Sequence, residues 1–136
     1  MRAAELRAQA SSRNIANANT VGSLPNAQGA RQTREAYQPV DVVLSSLAGG
    51  GVHAELRSTY KPPVEAYSPS SAYADERGMV AAPNIDVAKE LNDLISTEMS
   101  YKANAMVVNV ATRMFDALID AMDTNRDLPR RWQVRF

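Results

Sequence analysis

The stretch from residue 84 to residue 128 contains neither glycine nor proline, and it limits the possible folds more than any other feature. Asn84 or Asp86 can cap a helix here, and the acidic Asp86 and Glu90 would lie near the positive end of its dipole. We therefore predict a helix over 86–123, about 38 residues and roughly 57 Å long. A compact domain of this chain length has a radius of gyration of about 14 Å, so part of the helix is expected to project from it.

Apolar side chains of this predicted helix form two stripes at steps of three and four residues. The first stripe contains Val87, Leu91, Leu94, Tyr101, Ala105, Val108, Phe115, Leu118 and Met122. The second stripe contains Ile95, Met99, Met106, Val110, Met114, Ala117 and Ala121. Because one antiparallel partner covers only one stripe, the helix is either the centre of a small bundle or completes its burial in a homo-oligomer or filament. We favour the second, since the sequence predicts only one other helix.

The other predicted helix runs from Arg2 to about Ala18, with Leu6, Ala10 and Ile15 on one side. Its alanines allow another backbone to approach closely. It carries three arginines and one glutamate, whereas the long helix carries three cations and seven carboxylates. Opposite net charges favour pairing of the two helices, in which charge sets the register and apolar burial supplies most of the free energy.

Residues 20–83 hold six of the seven prolines and all six glycines, which is typical of loops and short strands. We predict two strands, Val40–Leu44 and Val52–Tyr60, joined as a hairpin through Gly49–Gly51. After the hairpin the chain is expected to be extended up to a turn at Arg77–Gly78. A two-stranded hairpin is marginal alone and needs another surface to pack against.

The predicted fold class is therefore mainly α with a small β part. The N-terminal and C-terminal helices are expected to pair as an antiparallel coiled coil, with the hairpin and extended Pro/Gly-rich segments between them. The predicted segments are an N-terminal helix at 1–20, a hairpin and extended middle region at 21–83, a long C-terminal helix at 84–123 and a basic tail at 124–136.

The inventory of side chains excludes several classes of function. The chain has 15 basic and 15 acidic residues, and this balance argues against a protein that binds nucleic acid or an anionic membrane. Since there is no cysteine, disulfides, zinc knuckles and thiol nucleophiles are excluded. No segment approaches the ~20 uninterrupted apolar residues of a membrane span. Glu5 and Arg7 interrupt the apolar region that a cleavable signal peptide needs, so export would use another route.

No pattern of residues predicts a catalytic, cofactor or metal site. His53, the only histidine, falls on the outer side of the second strand with Glu55 and is expected to face solvent. The triple glycine lacks the Lys-Ser/Thr that follows in a phosphate-binding loop. The sequence DTNRD at 123–127 matches the first half of a calcium loop, but Leu128 and Val134 stand where glycine and glutamate are required.

The C-terminal tail combines arginines with Trp132, and the middle region contains several tyrosines, a combination that can stack on nucleic acid. The tyrosines lie far from the tail in sequence, however, and the net charge is zero. We interpret the tail as a disordered extension or a docking peptide. The residues therefore predict neither an enzyme nor a nucleic-acid partner.

Three segments resemble bacterial flagellar basal-body rod proteins. SRNIANANT at residues 12–20 is similar to the N-I-A-N-x-N-T signature of flagellar axial proteins. GMVAAPNIDVAKE at residues 78–90 resembles the G-Y-V-x-x-P-N-V-D segment of the rod and hook group. MSYKAN at residues 99–104 is similar to that group's S-R-x-Y-x-A-N stretch. The order of these motifs and the short middle region best fit the proximal-rod members, over residues 1–122.

The resemblance implies a structural role without catalysis or cofactors. Family members pair their terminal helices as a coiled coil around a narrow export channel, and many copies pack helically into a drive shaft that crosses the periplasm. The expected partners are copies of the chain itself, other flagellar rod and basal-body proteins, and the flagellar type III export apparatus. The expected location is the rod of the flagellar basal body, with the second apolar stripe facing neighbouring subunits.

The expected assembly interface lies on both helices. It contains Leu6, Ala10, Asn14, Ile15, Asn17, Asn19, Leu91, Leu94, Ile95, Met99, Tyr101, Asn104, Val108, Phe115 and Leu118. A competing hypothesis is a monomeric helical binding or chaperone-like module whose exposed apolar stripe holds a partner helix. An enzyme that uses His53 is the third hypothesis.

The chain departs from the family pattern at three places. The family's first helix begins before the position of Met1, so a leading stretch of that helix is expected to be missing. A start site assigned too late and a divergent paralogue would each account for this. Met79 replaces the usual aromatic residue after Gly78, and residues 124–136 continue beyond the family's usual end.

Overall fold

The computed structural model describes residues 1–25 and 28–126, with the side chains of the helical residues 124–126 excepted. It contains two helices and two small antiparallel sheets. The elements are α1 (Arg2–Ala16), β1 (Val40–Ser46), β2 (Val52–Ser58), β3 (Val64–Tyr67), β4 (Met79–Ala82) and α2 (Val87–Arg126). The two predicted helices and the predicted hairpin are confirmed, whereas the second sheet was not predicted, so the architecture is mixed α and β.

The second helix begins where the sequence predicts because Asp86 caps it. Asp86 Oδ1 accepts a hydrogen bond from the Lys89 N–H at 3.1 Å, and the Asp86 carbonyl accepts one from the Glu90 N–H at 3.0 Å. One turn later Lys89 forms an exposed ion pair with Asp93 at 2.7 Å, and the hydrogen bond within this pair raises the pKa of Lys89. The helix is 40 residues long and ends slightly beyond the predicted boundary, at Arg126.

The hairpin of β1 and β2 provides the surface on which α1 packs. In its antiparallel register Val42 lies opposite Leu56 and Leu44 lies opposite Ala54. Ala10 of α1 and Ala54 of β2 are 5% and 6% exposed. Because both buried side chains are small, the helix backbone can lie close to the strands, and the contact relies on close approach rather than on large apolar groups.

The second sheet pairs β3 with β4, with Val64 opposite Ala82 and Tyr67 opposite Met79. Its centre is the best-buried part of the described chain, since Val80 is fully buried and Ala81 is 1% exposed. The sequence predicts extended chain where β3 lies but gives no strand signal for β4. The segment Met79–Ala82 has only four residues, and all four are apolar. The alternation of apolar and polar residues that identifies a half-buried strand is therefore absent.

Gly22 extends this second sheet by one residue. Its N–H donates to the Ala81 carbonyl at 2.8 Å, and its carbonyl accepts a hydrogen bond from the Ala81 N–H at 2.9 Å. On the other side, a Cβ at residue 22 would overlap the backbone atoms Ala36 N and Arg34 O. Only glycine therefore fits between β4 and the segment 34–36.

The turn that leads into β4 is organised by Asp75. Its Oδ1 accepts hydrogen bonds from the N–H groups of Arg77 and Met79 at 2.9 and 2.8 Å, and its Oδ2 pairs with the Arg77 guanidinium at 3.0 Å. These contacts, the Met79 N–H above all, hold the pKa of Asp75 below its ordinary value. Gly78 completes the turn with a φ of 76°, so the predicted turn at this position is confirmed.

The chain divides by packing into two units, residues 1–101 and residues 102–136. The first unit contains α1, both sheets and the first turns of α2. The second unit, as far as it is described, is the remainder of α2. Among the described residues, neither helix combines the length and the apolar character that crossing a membrane requires.

Candidate assembly surface

Asn14 makes four hydrogen bonds that join three parts of the first unit. Its Nδ2 donates to the Val40 carbonyl and to Glu90 Oε1, both at 2.9 Å. Its Oδ1 accepts hydrogen bonds from the Val40 N–H at 2.9 Å and from the Tyr37 hydroxyl at 3.2 Å. The residue is 2% exposed, and its amide has used its full capacity for hydrogen bonds. We call these four residues the Asn14 junction, which connects α1, the start of β1 and the first turn of α2.

Glu90 is the buried acid of the Asn14 junction, with 8% of its surface exposed. A buried carboxylate is costly without a hydrogen-bond donor, and Asn14 supplies one. Burial raises the pKa of Tyr37, while the positive charge of Arg13 lowers it and the charge of Glu90 raises it further. The Tyr37 hydroxyl therefore keeps its proton and donates a hydrogen bond to Asn14 Oδ1.

Sequence reasoning placed Asn14 at the assembly interface but missed Tyr37, Val40 and Glu90. The partners of Asn14 lie 23, 26 and 76 residues away along the chain, so no local pattern relates them. The one sequence signal for this contact was Glu90 itself, an acidic residue in the first turn of the long helix. We attributed its position to a favourable interaction with the helix dipole. The structure gives Glu90 a specific partner instead.

An apolar groove separates α1 from the first turns of α2. Its volume is about 460 Å³, and its walls include Ala4 and Ala8 on one side and Leu94, Ile95 and Tyr101 on the other. The backbone of α1 packs on β1 and β2, and a hydrogen bond of the Asn14 junction links α1 to α2. Because alanine side chains are short, the two helices leave the space between them unfilled.

Large apolar side chains are exposed along the later part of α2. Within residues 102–123, Ala105 is partly buried and every other side chain is exposed. Val108 is 58% exposed and Phe115 67% exposed on the first predicted stripe, and Met114 is 69% exposed on the second. Large apolar side chains exposed along one helix make this part of α2 a candidate contact surface.

The residues expected at the assembly interface differ in their burial. Ala10 and Asn14 are buried within the first unit. Partly buried are Leu6, Ile15, Asn17 and Leu94. Exposed are Asn19, Leu91, Ile95, Met99, Tyr101, Asn104, Val108, Phe115 and Leu118. The members on α2 are thus largely available to a partner, whereas most of those on α1 already contact this chain.

The other candidate sites give little indication of chemistry. His53 is exposed, as predicted. Within residues 1–25 and 28–126, no three side chains of the metal-ligating types lie close enough together to hold an ion. Of the calcium-like segment at 123–127, only Asp123 has a described side chain, and the tail at 127–136 lies outside the described residues.

Comparison with known proteins agrees with the expected family. A family model described as "Flagellar basal body rod FlgEFG protein C-terminal" matches residues 76–121. The match covers β4, the segment that caps α2 and most of α2 itself. It therefore includes Glu90 of the Asn14 junction and much of the exposed apolar surface.

Several curated proteins named flagellar basal-body rod protein FlgC are similar over most of the chain. The protein of Salmonella typhimurium strain LT2 is 34% identical over 101 residues, which are 74% of each chain. The protein of Escherichia coli O6:H1 is 33% identical, again over 101 residues and 74% of each chain. That of Borreliella burgdorferi is 29% identical over 83% of this chain and 84% of its own. The chain therefore belongs to the FlgC family of flagellar basal-body rod proteins, whose members are structural proteins located in the rod of the basal body.

Proposed function

We propose that the chain is a subunit of the proximal rod, which assembles helically through α1 and α2 around the export channel and transmits torque as part of the drive shaft. One observation carries the proposal: a member of a rod-protein family exposes large apolar side chains along both predicted stripes of α2. Such a subunit acts through its contacts with neighbours. It needs no catalytic residue and no cofactor.

The exposed stripes support contacts with more than one neighbour. Val108 and Phe115 belong to the first stripe, whereas Met106 and Met114 belong to the second, and all four are more than half exposed. Each large apolar side chain that becomes fully buried contributes about 1.5–3 kcal/mol. Contacts on two different sides of one helix can continue from copy to copy, which is how a helical filament forms.

The partners follow from this assembly. We infer that copies of the chain contact one another through α1 and α2, and that other rod and basal-body proteins cap the stack at its ends. The β1–β2 hairpin forms a small outer domain of the subunit. We further infer that the chain reaches the rod, which crosses the periplasm, through the flagellar type III export apparatus.

The test replaces one exposed apolar side chain of α2 with a charge. Val108→Asp, expressed in a flagellated strain that lacks its own copy of the gene, is expected to abolish swimming and leave basal bodies without a complete rod. Because Val108 is 58% exposed, the substitution removes little burial within the chain. Swimming in soft agar and electron microscopy of isolated basal bodies measure the result.

His53→Ala is the matched control, since His53 is also exposed but lies on the hairpin. We expect it to swim normally. Equal loss of swimming in both variants would contradict the assignment of the interface to α2. Normal flagella in a strain from which the gene is deleted would overturn the proposed function itself.

The groove between α1 and α2 favours a second candidate, a monomeric binding or chaperone-like module that holds a partner helix. Sedimentation of the purified chain over a range of concentrations distinguishes the two. Association that rises with concentration supports the rod subunit. A chain that stays monomeric and melts cooperatively at a temperature independent of concentration supports the module.

A further inference from the structure

The groove between α1 and the first turns of α2 is apolar and open to solvent. Leu91 and Ile95 of its α2 wall are 49% and 54% exposed, and Tyr101 is 39% exposed. Among the described residues that line the groove, two are acidic, Glu5 and Glu98, and none is basic. A segment that combines large apolar side chains with positive charge would therefore complement this groove.

Glu5 carries the charge that a basic segment can contact at the rim of the groove. Its side chain is exposed, and no ion pair within the described residues includes it. Glu98, in contrast, already has an interaction within the chain. The arginines of α1 lie outside the lining of the groove. The rim is thus acidic at α1, although this helix as a whole has a net charge of +2.

The segment that follows α2 in the sequence has the complementary composition. Residues 127–136 contain three arginines and one aspartate, together with Leu128, Trp132, Val134 and Phe136. The match to the rod-protein family model ends at residue 121, before this segment begins. Its combination of aromatic groups and positive charge is therefore a property of this chain rather than of the matched region.

The length of α2 decides which copy's groove can bind this segment. From Leu94, in the wall of the groove, α2 continues as a helix to Arg126, which is about 48 Å at 1.5 Å per residue. Even fully extended, the chain from Arg126 to Trp132 spans at most about 22 Å. Trp132 therefore cannot return to Leu94 of its own chain.

We propose that residues 127–136 of one copy bind in the groove between α1 and α2 of a second copy, with Trp132 against the apolar walls and an arginine beside Glu5. The proposal rests on the proposed function, since a second copy must lie next to the first. Removal of the indole and of the exposed groove side chains from water supplies the free energy of binding. The charges fix the direction in which the segment lies.

Disulfide cross-linking tests the contact directly, because the natural chain has no cysteine. Full-length chains with Ala8→Cys are mixed with full-length chains with Gln133→Cys, at a concentration at which sedimentation shows association, and the mixture is oxidised. We expect several-fold more of the mixed pair than of either homodimer. Gly49→Cys replaces Ala8→Cys in the control, since residue 49 is exposed on the hairpin loop. The control should show no preference for the mixed pair.

The fluorescence of Trp132, the only tryptophan, gives an independent measurement. Its emission should shift to shorter wavelength as the chain associates, because water leaves the indole ring. Ala8→Phe fills the groove and should abolish this shift. Glu5→Arg should raise the concentration at the midpoint of the shift several-fold, whereas Glu35→Arg, an exposed change in the middle region, should leave it unchanged. If circular dichroism shows that Ala8→Phe loses helicity, the exposed Glu5 variant decides the result.

The contact is wrong if the chain associates without preferred cross-linking to Ala8→Cys or without a shift of the Trp132 emission. The rod subunit would then still be supported, and the groove would have another occupant. A chain with both cysteines that closes a disulfide within one monomer would also overturn the proposal, since the segment would then bind its own groove. If the chain stays monomeric at every concentration, the proposed function fails together with this contact. The two failures are therefore distinguishable.

Discussion

The first unit buries a set of side chains, whereas residues 102–123 of α2 bury none fully. In residues 1–101 the buried groups are small or polar, as Ala10, Ala54, Ala81 and Asn14 show. In residues 102–123 the large apolar groups are exposed. The first unit builds its internal contacts from close backbone approach and hydrogen bonds, while many large apolar side chains of the described residues, on both units, remain exposed. Substitutions in the two regions should therefore differ in kind.

The largest expected loss of stability comes from the Asn14 junction. Asn14→Ala leaves the buried Glu90 carboxylate and the Val40 N–H without their partner and is expected to lower the free energy of unfolding by about 3 kcal/mol. Chemical denaturation of the purified chain, followed by circular dichroism, measures it. Asn19→Ala is the control, because Asn19 is exposed, and its effect should be small. Equal effects of the two changes would show that the junction does not hold the first unit together.

Gly22→Ala should be next in size. The added Cβ overlaps the backbone of the segment 34–36, so the chain must shift, at a cost of about 1–3 kcal/mol. Chemical denaturation followed by circular dichroism measures this loss of stability as well. Gly49→Ala is the matched control, since no atom lies within 4 Å of a Cβ at that position. A Gly22 variant as stable as the Gly49 variant would mean that the segment 34–36 is not tightly packed against Gly22.

A smaller effect is expected at the Asp75 turn, and it depends on pH. The pKa of Asp75 is lower in the folded chain than in the unfolded chain, so its stabilising contribution is complete above the unfolded value of about 3.9 and is lost as the pH falls through the folded value. Asp75→Asn should therefore lower the melting temperature at pH 6. The difference from the natural chain should shrink below pH 4. A difference that stays constant with pH would assign the effect to hydrogen-bond geometry rather than to charge.

The smallest effect on stability is expected in the later part of α2. Phe115→Gln replaces a side chain that is 67% exposed and should change the free energy of unfolding by less than about 0.5 kcal/mol. Swimming should nevertheless be lost, because the same side chain is then missing from contacts between copies. Large destabilisation together with normal swimming would reverse the comparison between the two regions.

The spacing of apolar residues, together with capping and turn residues, was sufficient to predict α1, α2 and the β1–β2 hairpin. The Asp86 cap, the Gly49–Gly51 loop and the turn at Gly78 are each specified by a few neighbouring residues. β4 was missed because Met79–Ala82 becomes a strand through its pairing with β3 and Gly22, not through its own pattern. The pairing of the two helices as a coiled coil remains a prediction.

The candidate assembly surface could be predicted from the sequence only in part. The apolar stripes could be read from spacing, and the exposure of Val108 and Phe115 agrees with the expectation that one chain cannot cover them. The basic character of α1 and the acidic character of α2 were also read from composition. The Asn14 junction and the groove at Ala4 and Ala8 were not, because both depend on residues that are distant in the chain.

The sequence by itself determined which segments are helical, where they begin and which of their sides are apolar or charged, because these depend on backbone propensity and on the spacing of neighbouring residues. The tertiary structure alone decided what those sides contact. It placed Asn14 against Val40 and Glu90, placed Gly22 against Ala81, and left the later part of α2 uncovered. Hydrogen bonds and close contacts between distant residues form only when the whole chain folds, so no local pattern encodes them.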